Sequence, residues 1–145
     1  MAIWFNSEIK DFDIQHKKKV KNWISTLLDQ HKLKTGIINF IFLDDAGLLK
    51  LNNEYLNHNT FTDIISFDYS ANDLISGDIY ISIERIRENA DNLNISFNEE
   101  LKRVIIHGIL HLIGFKDSSE SEKRIMRLKE DQALSNVKDL LIAKA

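Results

Sequence analysis

Apart from His107 and His111, the run from Val104 to Ile113 is apolar on nearly every side of a helix. Such a helix has no face to leave to water and needs burial on both sides, so it has to be central to the fold, with the two imidazoles at the floor of a cleft. The spacing adds chemistry. At i and i+4 the histidines lie about 40° apart around the helix axis, so both can reach one ion. Gly114, three residues after the second histidine, suits the left-handed conformation that ends a helix and turns the chain back. That return brings Asp117 toward the imidazoles as a third ligand. Three protein ligands leave the fourth position of a tetrahedral zinc ion to water, the catalytic rather than the structural arrangement. One Zn²⁺ per chain is the expected cofactor.

Each residue has a plainer reading. Buried helices hold hydrogen-bonded histidines without any metal, and Asp117 stands where it could cap the next helix. Ser119 and Glu122 already supply a capping box there, which leaves Asp117 for other work. Two histidines, a glycine at the turn and an oxygen ligand beyond it together favour the metal. Zinc peptidases with a similar layout carry Glu directly after the first histidine, as general base. That position is Gly108 here, which weakens a peptidase reading.

The rest of the chain suggests one domain spanning residues 1–145. At 145 residues it is long enough for one real core and short for two. Without cysteine it has neither disulfides nor thiolate metal sites, and a cytoplasmic protein is expected. No signal peptide and no membrane-crossing run are read. Strands are predicted at Ala2–Phe5, Gly36–Leu43, Asp63–Tyr69 and Asp78–Ile83, with a loop from Ser70 to Gly77 between the last two. Helices are predicted at Lys17–Gln30, Asp44–Tyr55, Glu84–Leu93, Asn98–Ile113 and Ser119–Leu134. The order β-α-β-α-β-β-α-α-α implies an α+β fold, a mixed sheet of about four strands with helices packed on it and the last two strands joined as a hairpin.

Net charge is −3, so any nucleic acid has to be gripped locally rather than by a broad basic surface. The clusters Lys17–Lys19 with Lys21, Lys102 with Arg103, and Lys123, Arg124, Arg127 and Lys129 read as solvated helix faces, with Glu122, Glu130 and Asp131 interspersed. Glu100 lies about 20° from His107 around the helix but two turns away. It reads either as a partner of the site or, more simply, as a surface carboxylate near the helix start.

The stretch from His107 to Asp117 resembles the HGxLHLxGxDH signature of the YbeY endoribonucleases, matching it at His107, Gly108, Leu110, His111, Leu112 and Gly114. Leu51 to Tyr55 resembles the family's LNxxYR segment, Thr62 to Phe67 its TDVLSF segment, and Gly77 to Ile79 its GDI strand start. Two positions depart from the pattern. Asp117 stands where the third histidine is usual, an exchange zinc accepts. Leu56 stands where the family has an arginine expected to hold a phosphate, and His58 or Lys116 are the candidates to replace it.

The resemblance implies a zinc-dependent hydrolase that cuts single-stranded RNA, with small-subunit ribosomal RNA maturation and ribosome quality control as its setting. Ribosomal RNA and the ribosome are the implied partners, with neither DNA nor a membrane. Zinc would lower the pKa of water from about 15.7 toward neutrality, or steady charge as a ribose 2′-hydroxyl attacks. No side chain is an evident general base; His58 and Glu100 are the candidates. The Thr62 to Phe67 block would line the groove beside the metal, and Phe67 and Tyr69 read either as base-stacking rings or as core. Two alternatives remain open: a zinc metallopeptidase of zincin-like layout, and a non-catalytic ribosome-assembly factor with a vestigial zinc site.

Overall fold

The computed structural model describes residues 2–56 and 62–143. Its elements are β1 (Ala2–Ser7), α1 (Lys17–Gln30), β2 (Lys34–Leu43), α2 (Asp45–Leu56), β3 (Ile64–Asp68), β4 (Leu74–Ser82), α3 (Ile83–Leu93), α4 (Phe97–Leu112) and α5 (Glu120–Ser135), the order read from the sequence. One four-stranded sheet runs β1-β2-β4-β3. β1, β2 and β4 are parallel, and β3 returns antiparallel along β4 as the expected hairpin. Parallel neighbours need a crossover, and α1 and α2 supply the helices of the two connections. The domain is α+β with a mixed sheet.

Alternation along the strands decides which face carries the core. Ile38, Phe40 and Phe42 are fully buried, whereas Ile37, on the alternate face, points outward. Phe5 stacks on Phe40 with ring centroids 5.1 Å apart on the same inner face. α4 packs between that face and helices α3 and α5. Its Leu101, Ile105, Ile106, Ile109 and Leu110 are fully buried, which bears out the central position read from its apolar character. Ser96 begins it, the side chain accepting from the Glu99 amide at 3.0 Å.

Several local expectations change. β2 begins at Lys34, two residues early, and β4 begins at Leu74 rather than Asp78. The loop expected through Ser70 to Gly77 contracts to a turn closed by an Ala71–Leu74 bridge, with Asn72 at φ 58°. Asparagine tolerates that left-handed conformation. Burial of Ile75 and ladder pairing of Thr35 with Ile75 outweigh the turn-like composition of Ser76 and Gly77.

Three charged residues expected on surfaces lie inside. Lys102 is fully buried, its ammonium donating to the Val137 carbonyl at 2.8 Å and paired with Glu99 at 3.0 Å. It anchors the segment after α5 and does not contribute to an RNA-facing basic cluster. Asn98 serves the same segment, donating to the Leu140 carbonyl and accepting from the Ile142 amide at 2.7 Å. Glu100 and Glu130 are each 5% exposed, so neither is the surface carboxylate expected. None of the described helices is long and apolar enough to cross a membrane.

Candidate metal centre

α4 ends as the glycine at position 114 foretells. The Gly114 amide donates to His111 and the Phe115 amide to Leu110, both at 3.0 Å, with Gly114 at φ 109°. This pair of bonds is a Schellman closure, and Phe115 folds back onto the core beyond it. The reversal carries Asp117 to the histidines. Asp117 Oδ2 lies 3.2 Å from His107 Nε2 and 3.4 Å from His111 Nε2. One ligand atom from each of the three lies within 4.8 Å of the others, all on half-buried side chains. The capping reading of Asp117 is unnecessary, because Ser119 and Glu122 cap α5 as a reciprocal capping box.

The donor set fits a cation on a further ground. His107 Nδ1 sits 2.6 Å from Glu130 Oε2. A carboxylate can only accept, so Nδ1 carries a hydrogen, and in the neutral ring that a metal binds Nε2 is the lone-pair nitrogen facing Asp117. Ligating histidines are characteristically held this way, with the second nitrogen donated to a carboxylate. Glu130 is itself held by Arg103, whose Nη1 donates to Oε1 at 2.8 Å while Nη2 reaches Asp131 at 2.7 Å. Burial raises the Glu130 carboxyl and the bonds from His107 and Arg103 outweigh it, so its pKa falls below the usual value. Burial opposes protonation of His107, yet the hydrogen bond and charge of Glu130, with Asp117 and Asp63 behind it, raise its pKa. Both shifts describe one buried, mutually stabilised pair.

Glu130 was missed in the sequence, although a signal existed. It lies on the stripe of α5 that buries Met126, Ala133 and Leu134, and a charged residue on an apolar stripe needs a partner.

A cleft of about 310 Å³ adjoins the triad, with His107 and Asp117 in its wall and Asp63, Glu100, Arg103, Arg127 and Glu130 around it. His111 lies one turn further along α4. Hollows of about 350 and 570 Å³ at the α1 side of the molecule share no residue with the triad. Glu100, one of two candidate bases, therefore stands in the same cleft wall as His107, two turns away along α4, and its Oε1 is buried without a hydrogen-bond partner among the described residues. Burial, then the charge of Asp63, raises its pKa. The other candidate, His58, lies outside the described residues.

Gly108 answers the peptidase question structurally. A β-carbon there would stand 3.0 Å from Ile64 Cδ1 and 3.0 Å from Ile79 Cγ2. Position 108 thus faces the sheet, and a glutamate there would be aimed into the core. Leu56, where a phosphate-holding arginine was expected, is 43% exposed at the end of α2. Phe67 is half-buried and packs edge-on to Tyr55 and Tyr80, whereas Tyr69 is exposed.

The sequence profile of endoribonuclease YbeY matches residues 3–138. The chain belongs to the YbeY family. Its curated relatives include the endoribonuclease YbeY of Flavobacterium psychrophilum, 54% identical over 132 residues that make up 91% of this chain and 94% of the relative. The Parabacteroides distasonis protein of the same name is 43% identical, covering 93% of this chain and 95% of its own. A Thermotoga maritima protein solved in solution shares the fold, with a TM-score of 0.65 and 24% identity over 94% of this chain and 92% of that one. Membership of the YbeY family makes the chain a hydrolytic nuclease, and among the described residues the triad is a group able to hold a metal ion.

Proposed function

We propose that this protein is a zinc-dependent endoribonuclease for single-stranded RNA, with His107, His111 and Asp117 holding one Zn²⁺. The observation that carries the reading is the convergence of those three donors, with the far nitrogen of His107 already committed to Glu130. Zinc bound there supplies Lewis acidity, which makes water a stronger acid and stabilises negative charge on a phosphoryl oxygen.

The chain's own residues do the positioning. Glu130 locks the His107 ring through Nδ1 and so turns Nε2 toward the metal position, and Arg103 holds Glu130 in place from the far side. Asp117 contributes an anionic oxygen from the turn that Gly114 permits. Glu100 is available to accept a proton at Oε1, which has no hydrogen-bond partner among the described residues, and burial raises its pKa. The relatives' name, endoribonuclease, supports RNA as substrate. Maturation of small-subunit ribosomal RNA and ribosome quality control, in the cytoplasm, complete the proposed role.

The test is metal content and cleavage of a structured ribosomal RNA fragment, wild type against His111→Ala. About one zinc per chain and cutting by the wild type alone are expected. Asp117→Ala should lose zinc while α5 keeps its cap, and Asp117→His should retain zinc. Hydrolysis of an unfolded peptide substrate that His111→Ala abolishes would overturn the nuclease reading. Zinc-replete protein that binds ribosomes and cuts no RNA would make it an assembly factor.

A further inference from the structure

If the site cuts RNA, as proposed above, something in it has to hold the anionic backbone, and the residue at position 56 cannot. Leu56 carries no charge. The cleft that shares His107 and Asp117 with the triad contains four carboxylates, Asp63, Glu100, Asp117 and Glu130, against two guanidiniums, Arg103 and Arg127. A phosphodiester entering beside the triad meets that excess of negative charge unless a cation is left to pair with it.

The two arginines are not equivalent. Arg103 is spent: one nitrogen donates to Glu130 and the other to Asp131, and its side chain is only 20% exposed. Arg127, on the α5 wall, has a side chain 61% exposed. Among the described residues its ion pair is with Glu130 Oε1 at 3.8 Å, too long for a hydrogen bond, and that oxygen already accepts from Arg103. Lys116 is exposed on the turn outside the cleft, where its charge bears on Glu122.

We infer that Arg127 is the phosphate-holding cation of this site, taking a backbone phosphate of single-stranded RNA in the cleft beside His107 and Asp117. Its planar fork presents paired donors to two phosphate oxygens at once, which an ammonium cannot match. The anchor has thus moved from the end of α2, where the family pattern places it, to α5, whose Arg127 lines the cleft.

The test uses full-length, zinc-replete protein and a single-stranded oligoribonucleotide with 2′-O-methyl sugars, followed by fluorescence anisotropy across a salt series and checked for intactness afterwards. Arg127→Ala should bind roughly tenfold more weakly, with the salt slope shallower by about 0.7, the share of one phosphate contact on a single strand. Arg127→Lys should fall between. Lys18→Ala, the same charge removed from exposed α1, should match wild type, and all variants should keep their zinc and melting temperature. Adding Leu56→Arg to Arg127→Ala should recover binding and the cleavage kcat/KM on unmodified RNA. Wild-type affinity and slope in Arg127→Ala, or an equal loss in Lys18→Ala, would overturn the assignment. So would a loss confined to His58→Ala. Wild-type protein that cuts no RNA would count against the proposed function instead, and the binding measurements would still decide Arg127.

Discussion

On one face of the sheet α4 is buried along its length, and Lys102, Arg103 and His107 each end on a defined acceptor. On the other face α2 covers only a small cluster around Leu43, Leu48 and Ile65, and leaves Trp4, Ile37 and Tyr55 more than half exposed. The first face is interlocked: changing one side chain strands another in a low-dielectric interior. The second is loosely built, so a side chain at its rim can change with little consequence for the fold. Both departures from the family pattern fit that contrast. Leu56 is on the loose side. Asp117 is on the turn after α4, half-exposed, where a carboxylate replaces an imidazole without any repacking of the core.

The most direct way to break the comparison is Gly108→Glu. A β-carbon there is already tight against Ile64 and Ile79, and the added carboxylate would have no partner in the sheet. A loss on the order of 5 kcal/mol is expected, lowering the melting temperature by about 10 °C or more. A stable Gly108→Glu protein would show that α4 is less tightly seated than described, and would reopen the peptidase reading.

Next in size is Glu130→Ala. It leaves the Arg103 guanidinium and His107 Nδ1 without their buried acceptor, a loss of about 3–5 kcal/mol. Glu130→Gln keeps the shape and an acceptor oxygen for Nδ1. It should hold the fold better while weakening zinc affinity by roughly 10–100-fold, because the histidine loses its anionic support. Denaturant melts and zinc titrations separate the two variants. Equal zinc affinity in wild type and Glu130→Gln would mean that the hydrogen bond orients nothing.

The same pair sets a pH dependence in zinc-free protein. His107 has its pKa raised above 6.5 in the fold, so its contribution is fully present below 6.5 and lost as pH rises through the folded value. Glu130 has its pKa lowered below 4.5, so its contribution is present above 4.5 and lost as pH falls through the folded value. The stability difference between wild type and Glu130→Gln should therefore be largest between about pH 4.5 and 6.5 and shrink above it. A difference that grows toward pH 8 would show that the pair is not ionised in the fold.

What could be read from the chain alone follows the same division. α4, its glycine stop and the triad were legible because their signals are local: helical spacing, one left-handed residue and a ligand three positions on. Glu130 was not, because it meets His107 only after α5 folds back across 23 residues. Lys102 was read as surface for a similar reason, since its acceptor belongs to the segment after α5. The start of β4 was misplaced because pairing with β2, not local composition, extends it to Leu74.

Leu56→Arg should have the smallest effect on stability and so is the sharpest probe of the loose face. The side chain is 43% exposed at the C-terminal end of α2. Arginine is as good a helix former as leucine, and a cation near a helix C-terminus interacts favourably with the terminal carbonyls. The melting temperature should stay within the shift expected of about 0.5 kcal/mol. If Arg127 already holds the phosphate, a second guanidinium should add modestly to RNA affinity in the wild-type background and far more when Arg127 is alanine, because the two compete for one task. A loss of more than about 1 kcal/mol would mean that Leu56 supports packing on the α2 face, and the contrast between the two faces would have to be redrawn. Equal gains in both backgrounds would mean that the two positions hold different phosphates and act independently.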